Sequence, residues 1–314
     1  MASARQAGLM TTFGTEFQEQ YQFTNTIKDL GFQDAPFLSH LKTYAFGSEQ
    51  LRQLAAASLG FKWHYNVFPE AKTGDNAYME GSDAPALENF KHDTMSNFFQ
   101  IFKIGYGVTG TQGVAMSGDT LDYQRDQAWI GLRKDINKAL LQNANAVKPV
   151  KNTTPGKTFG LAGLMGAHNE IDAAGKDLDE GMIEDICMMM WRAGVEVTHI
   201  LMNSKQSKKL NKIIDTERRT NFGNTQFLGN KIDRIDNIRG IAKGGAVNII
   251  DFDMPENAIY FLKMDDLGFV TLRDEVDKPI PSGRDSEEYQ TSIEAALWVG
   301  TPMSVGQIKN LKTT

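Results

Sequence analysis

Only one cysteine, Cys187, occurs in the 314 residues, so no disulfide can form within the chain. It lies in the apolar helical stretch "EDICMMMWRAG", where a thiol reads as a small buried hydrophobe rather than a nucleophile. The five histidines, His40, His64, His92, His168 and His199, are scattered, and neither H-x-x-x-H nor C-x-x-C occurs, which argues against a zinc site. No apolar run approaches the roughly 20 residues that a membrane helix needs. The first residues, "MASARQAGLMTTFGTEFQ", lack the apolar core of a signal peptide, so the chain is expected to stay in the cytoplasm where it is made. A net charge of -6 excludes nucleic-acid binding by bulk electrostatics.

What is present is ordinary for a globular chain: 41% apolar and 23% charged residues. Residues 1–58 read as an extended arm with short apolar patches at Phe13, Phe17, Tyr21 and Phe23, and a helical piece near 48–58. Residues 59–68, "LGFKWHYNVF", alternate as a half-buried strand with Leu59, Phe61, Trp63, Tyr65 and Val67 on one face. A stretch rich in Gly, Pro and acids follows, and residues 98–111 alternate again, with Phe102, Ile104, Tyr106 and Val108 on one face. Two strands flanking a long connection predict a protruding β-ribbon. Such a ribbon is marginal alone in water, so its aromatic face is expected to need cover from another subunit.

The spacing of Leu121, Ala128, Leu132, Ile136, Ala139 and Leu140, with Trp129 beside them, predicts a long helix over 119–144, capped by Ser117 or Asp119. "PVKNTTPG" then interrupts the pattern. Further helices are expected over 177–193, with acids first and arginine last, and over 203–214, with four lysines outward. Strands are expected at "VEVTHILM", "AVNIIDF" and "YQTSIEAALWVG", and a hairpin turning at Asp265 to Gly268. Residues 203–245 carry ten Lys/Arg against four Asp/Glu, and residues 246–289 carry four against eleven. These are either patches that meet across a subunit interface or two solvated faces.

One short motif raises the question of catalysis. "IFKIGYGVTG" holds G-x-G-x-x-G at Gly105, Gly107 and Gly110. A dinucleotide site needs a strand, a tight turn and a helix opening at the third glycine. No helical stripe is visible before about residue 119, and Gly105 and Gly107 share one face of a strand, where bare backbone permits close approach. These glycines are therefore expected to shape a strand. "TFGLAGLMGAH" lacks the Lys-Ser/Thr of a P-loop, and "KQSKKLNK" lacks interleaved stacking residues. Asp265 and Asp266 fit a turn, and Glu80, Asp83 and Glu88 fit a loop. No set of nucleophile, base and orienting group emerges, so no enzyme and no cofactor are expected.

The order of elements, and the string "NFFQIFKIGYGVTGTQGVAMSGDTLDYQRDQAWIGLRKDINKALLQ", resemble the major capsid protein of tailed double-stranded DNA bacteriophages. That fold is shared with encapsulins and the herpesvirus capsid floor. One branch of that family carries "N-x-x-Q-I-F", then "V-(S/T)-G-T-Q", then a helix with "L-x-x-Q…L-(K/R)-x-D-I-x-x-A-L-L". The matching residues are Asn97, Gln100, Ile101, Phe102, Val108, Thr109, Gly110, Thr111, Gln112, Leu121, Gln124, Leu132, Lys134, Asp135, Ile136, Ala139, Leu140 and Leu141. "FKWHYN" and "EGSDAP" resemble the ribbon strand and tip of that branch. Asn137 replaces its usual glutamate, which leaves open any ion pair that the acid would make.

The resemblance implies an α+β tailed-phage major capsid fold. Residues 1–58 would be the N-terminal arm, 59–112 the extended β-ribbon loop, and 113–165 the peripheral domain with its spine helix. Residues 166–284 would be the axial domain, and 285–314 a C-terminal segment completing the peripheral domain. The implied function is a subunit assembling as hexamers and pentamers into an icosahedral shell around double-stranded DNA. Alternatives are an encapsulin-like cargo compartment of the same fold and a nucleotide-binding enzyme using Gly105, Gly107 and Gly110. The implied partners are other copies, a portal protein, scaffolding and decoration proteins, and packaged DNA bound non-specifically; no membrane is expected. The implied location is the virion, after assembly in a host bacterial cytoplasm. Phe13, Phe17, Phe61, Trp63, Tyr65, Phe102 and Tyr106 are the candidate intersubunit contacts, because their faces need cover. Some members of the fold join subunits through Lys–Asn bonds; Lys62, Lys72 and Lys91 lie near the ribbon, but no motif marks one as reactive. No cleavable scaffolding segment is evident, so a mature subunit beginning at Met1 or Ala2 is expected.

Overall fold

In this computed structural model the described residues are 35–46, 55–57, 60–65, 79–80, 83, 92–115, 120–164, 169–221, 234–235 and 238–313. The chain opens with α1 (Pro36–His40), β1 (Lys42–Ala45), β2 (Ala55–Ala57), β3 (Gly60–Tyr65), β4 (Asp93–Phe98) and β5 (Gln100–Thr109). It continues through α2 (Gly110–Ala115), α3 (Thr120–Gln142), α4 (Leu161–Leu164), β6 (Glu170–Asp172), α5 (Glu180–Arg192), β7 (His199–Met202) and α6 (Ser204–Asn221). The last strands are β8 (Arg234–Ile235), β9 (Ala246–Ile250), β10 (Ile259–Leu262), β11 (Leu267–Pro279), β12 (Ser286–Val299) and β13 (Val305–Lys309). They form a four-stranded sheet ordered β1-β11-β12-β5, a six-stranded sheet ordered β6-β13-β10-β7-β9-β8, and a three-stranded sheet ordered β2-β3-β4.

The long helix α3 follows from its apolar period. Ala128, Leu132, Ile136 and Leu140 recur every fourth residue and are all buried. That stripe lies on the four-stranded sheet, where Gly131 lets Ile104 of β5 come close. The pairing Tyr106↔Tyr289, Ile104↔Thr291 and Phe102↔Ile293 places these six residues on the helix side of the sheet. Ile101, Lys103 and Gly105 point the other way and are exposed.

The six-stranded sheet is covered on its far side by two helices. β6 runs parallel to β13, which is antiparallel to β10, which is antiparallel to β7, so β6 and β7 are parallel and α5 is their crossover. β7 and β9 are also parallel, with α6 between them in sequence. Both crossovers advance in the same direction along the sheet, so the right-handed rule puts both helices on one face. The packing agrees: Ile183, Ile186 and Met190 of α5 and Leu210 of α6 share one core with Ile200, Met202 and Phe261. The opposite face, through Leu201, Ile249, Tyr260 and Leu262, joins the core that α3 shares with the four-stranded sheet.

Three sequence expectations are corrected. The segment around Asp265 is not a hairpin: a 3-10 turn at Met264–Asp266 carries the chain out of the six-stranded sheet, so β10 and β11 never pair. The ribbon partner of β3 is β4, in the register Gly60↔Phe98 to Tyr65↔Asp93, whereas β5 leaves to pair with β12. Ala55–Ala57 form a strand on β3 rather than the end of a helix, and residues 48–54 lie outside the described residues. β11, before residue 284, belongs to the four-stranded sheet, and β13, after it, to the six-stranded one.

Candidate functional site

At the base of the β3–β4 ribbon, the segment after β1, the ribbon strands and the end of β12 converge on the core that α3 shares. Phe61, Trp63 and Phe99 are buried, and Phe46, just after β1, packs with them. Ring centroids lie 5.4 Å apart for Phe61–Trp63, 5.2 Å for Phe61–Phe99 and 5.4 Å for Phe46–Phe99. The Trp63 indole Nε1 donates to the Gly300 carbonyl at 3.2 Å, just beyond the end of β12. This corrects the premise for the ribbon candidates. The aromatic face that was expected to need a neighbour's cover is covered by the chain itself: Phe61 is 0% and Trp63 1% exposed. Phe102 is buried in the core that α3 shares, and Tyr106 is buried where its ring stacks on Tyr289, centroids 5.8 Å apart. Tyr65 is half-buried at the outer end of β3. Phe13 and Phe17 lie outside the described residues.

Two residues of the "N-x-x-Q" pattern hold the bend between β4 and β5. The Asn97 side chain is fully buried; its amide donates to the Leu297 carbonyl at 2.6 Å and the Phe159 carbonyl at 3.3 Å. Its Oδ1 accepts the backbone N–H of Phe98 and of Phe159, each at 2.8 Å. One side chain thus ties the ribbon to the four-stranded sheet and to the segment after α3. The Gln100 Oε1 accepts from the Thr158 N–H at 3.2 Å and the Asn143 amide at 3.4 Å, fastening the same segment from the other side of the bend.

A second polar knot fixes the start of α1. The Asn137 side chain, buried on α3, donates to Asp251 Oδ2 at 2.9 Å and Asp253 Oδ2 at 2.9 Å. Its Oδ1 accepts the Leu38 N–H at 3.1 Å, and Asp251 Oδ2 accepts the Phe37 N–H at 3.1 Å. The free N–H groups at the start of α1 are therefore satisfied by residues from α3 and the end of β9. This answers the question left by the missing glutamate. An acid at 137 would place a third carboxylate against Asp251 and Asp253, whereas the amide donates to both. Sequence reading missed Asp251; its signal was a carboxylate directly after the buried run of β9. We expect Asn137→Ala to destabilise the subunit by about 1–3 kcal/mol, because the buried Asp251 carboxylate loses one of its donors and the Leu38 N–H loses its acceptor. Faster hydrogen exchange at the Leu38 amide should accompany the loss, and unchanged exchange there would show that the knot does not hold α1.

The glycine motif has more local shape than its sequence suggests. Gly110 does open a helix, α2, contrary to expectation. The frame around it is nevertheless wrong for a dinucleotide: β5 is antiparallel to β12, and the next strand, β6, lies in another sheet. The Gly110 N–H donates to the Asp285 carbonyl at 3.1 Å. A Cβ on Gly110 would collide with the Asp285 carboxylate, a negative charge beside the opening of α2 where a phosphate would be repelled. Gly105 is exposed, with only the Tyr289 carbonyl near its missing Cβ.

Cys187, Asp265 and Asp266 are each held within the fold, Glu80 and Asp83 are exposed, and Glu88 lies outside the described residues. Burial, helped by the charge of Glu184, pushes the Cys187 thiol up to about 12, so it stays protonated and inert at neutral pH. Asp265 accepts from Lys42 Nζ at 2.9 Å, and this contact holds its carboxyl below the usual range. Asp266 accepts from Ser304 Oγ at 2.7 Å. Among the described residues, no three of His, Cys, Asp and Glu are grouped to hold a metal ion. No helix described is long and apolar enough to cross a membrane.

Comparison with known proteins gives the fold a context. The family model described as SU10 major capsid protein matches residues 9–312. No curated protein matches the sequence. Among solved structures, the capsid of a native GTA particle superposes with a TM-score of 0.67 at 13% identity, over 96% of this chain and 98% of that one. The capsid asymmetric unit of cyanophage A-1(L) gives 0.66 at 15% identity, over 97% and 100%. The holo-SrpI encapsulin of Synechococcus elongatus gives 0.59 at 11% identity, over 95% and 96%. At these identities the structural likenesses establish the fold.

Proposed function

The chain belongs to the SU10 major capsid protein family, and on that premise we propose how its copies enclose the double-stranded DNA of a tailed bacteriophage. It is a shell-forming structural subunit, and self-association is its function. The proposal is that copies assemble as hexamers and pentamers in the host bacterial cytoplasm, with a portal protein at one vertex and with scaffolding or decoration proteins as accessory partners. The six-stranded sheet with α5 and α6 would be the axial domain. The four-stranded sheet with α3 would be the peripheral domain, and β3 and β4 the base of the extended loop. A net charge of -6 suits a container that must not adhere strongly to its packaged DNA. No catalytic role is assigned.

The observation that carries this reading is the way the ribbon base is built. Asn97, Gln100 and the aromatic cluster fix the root of the ribbon into the chain's own core. A segment rooted this firmly holds one direction relative to the subunit, as a reach onto a neighbour requires. The test is negative-stain electron microscopy of protein sedimented from expressing cells. Closed polyhedral shells are expected, and co-purifying protein cargo would identify the encapsulin alternative. A small soluble oligomer that binds NAD would overturn the shell reading and return Gly105, Gly107 and Gly110 to attention.

A further inference from the structure

Two large aromatic side chains stand out of the surface at opposite ends of the strands of the six-stranded sheet. Phe252, on the turn between β9 and β10, is 73% exposed, and Trp191, on the last turn of α5, is 46% exposed. The strand register places them. β7 pairs His199↔Val247 and Met202↔Ile250 with β9, and His199↔Leu262 and Met202↔Ile259 with β10. Phe252 follows Ile250 and so lies beyond the Met202 end. Lys263 follows Leu262 and Glu196 precedes His199, so both lie beyond the His199 end, where they line a cleft of about 280 Å³ with Trp191 and Gly194. Strand rise separates the two ends by on the order of 20 Å, so Phe252 does not reach the cleft of its own chain.

Both features are held in place by the fold. α5 ends where Gly194 takes a φ of 81°, its N–H on the Trp191 carbonyl at 2.9 Å. No atom stands within 4 Å of the missing Cβ of Gly194, so that wall of the cleft is open backbone. Arg239 covers one face of the indole, its guanidinium carbon 5.6 Å from the ring centroid. At the other end, Asn137 holds Asp251 and Asp253, the Asn203 amide donates to the Met254 carbonyl at 3.0 Å, and the Gln206 amide to the Glu256 carbonyl at 2.7 Å. Met254 is buried by this turn, and Phe252 is left outside. The charges of the two ends differ in sign. Arg192, Arg239, Lys243 and Lys263 belong to the cleft end, against Glu196 and the Asp266 that pairs with Lys263 at 3.1 Å. The turn carries Asp251, Asp253 and Glu256, and no basic residue occurs between Lys243 and Lys263. Lys205 takes up Glu256 at 2.6 Å, but Asn137 donates to Asp251 and Asp253 through a neutral amide, which leaves their charge in place.

A closed ring of identical subunits needs a head-to-tail contact, in which one side of each copy meets the opposite side of the next. We infer that the Phe252 turn of one copy seats its phenyl group in the Trp191 cleft of the next copy. This rests on the shell reading above and names a surface through which its rings close. An aromatic anchor in a cleft walled by Trp and rimmed by Arg is the composition that carries most of the energy of protein interfaces. The opposite charges around anchor and cleft set the approach and the register. The basic segment 203–245 supplies Arg239 and Lys243, and the acidic segment 246–289 supplies the turn, so the two patches meet between copies rather than within one.

The full-length chain tests this in two ways. Phe252→Ala and Trp191→Ala should each lower the yield of sedimentable shells at least tenfold. The denaturation midpoint of unassembled subunits should stay unchanged, because both aromatics are exposed. The second test keeps both aromatics and places two cysteines in one chain, Asn257→Cys after the turn and Glu196→Cys in the cleft, both at exposed positions. Native Cys187 is buried and does not react. A flexible bismaleimide should then join copies into a ladder that ends at five and six, and either cysteine alone should give no ladder. Wild-type shell yield from either alanine variant, or shells of the double-cysteine chain that give no ladder, would overturn the inference and leave the shell reading standing. If the unaltered chain itself makes no shells, the shell reading falls, and this inference falls with it.

Discussion

Trp63→Ala should cost the isolated subunit about 3–5 kcal/mol, the usual range for removing a large aromatic from a core. The indole is 1% exposed, packs against Phe61, and donates to the Gly300 carbonyl. Its removal would open a cavity where the ribbon, the segment after β1 and the end of β12 meet, and leave the Gly300 carbonyl without this donor. The damage should therefore appear before assembly, as a lower denaturation midpoint of unassembled subunits, and shells should fail in proportion. Trp63→Phe keeps most of the packing and loses the hydrogen bond, so its cost should be nearer 1 kcal/mol. If Trp63→Ala left the unassembled subunit as stable as the original but blocked shells, the residue would be an intersubunit contact after all, and the burial described here would be irrelevant to its role.

The contrast between strand face and covering partner explains much of what the sequence could and could not say. Alternation along "GFKWHY" correctly separates Phe61 and Trp63 from the exposed Lys62 and His64. It does not say what lies on the buried side, because Phe46 and Phe99 reach that side through pairings invisible to a local period. Helices α3, α5 and α6 were legible because their signal lies within a few turns. The errors fall where distant pairing overrode local preference. "KMDDLG" reads as a hairpin turn, yet Leu267 onward is taken by β12 in antiparallel pairing and by β1 in parallel pairing. Three alanines are good helix formers, yet Ala55–Ala57 become a strand because β3 offers them an edge. The glycine motif lacks a dinucleotide frame in spite of the unexpected helix at Gly110, since Asp285 and the antiparallel pairing of β5 are incompatible with a pyrophosphate.

Asn97→Leu should be as damaging as the loss of Trp63, although it preserves size and adds apolar character. Asn97 makes four contacts from a fully buried position, two as donor and two as acceptor. Leucine offers none. The Phe159 N–H and carbonyl would then face a side chain with which neither can bond, and each buried polar group left without a partner costs about 1–3 kcal/mol. A loss of about 3–5 kcal/mol is therefore expected, with hydrogen exchange accelerating at the Phe98 and Phe159 amides rather than uniformly. Asn97→Asp should not rescue it. The carboxylate keeps the acceptor for both N–H groups but sets a negative charge against the Leu297 and Phe159 carbonyls, where the amide donated. The comparison separates packing from hydrogen bonding: if Asn97→Leu were neutral while Asn97→Asp was severe, the site would require only a neutral filler, and the bend between β4 and β5 would be held by its aromatic neighbours alone. If both are severe, the amide itself sets the angle at which the ribbon leaves the subunit.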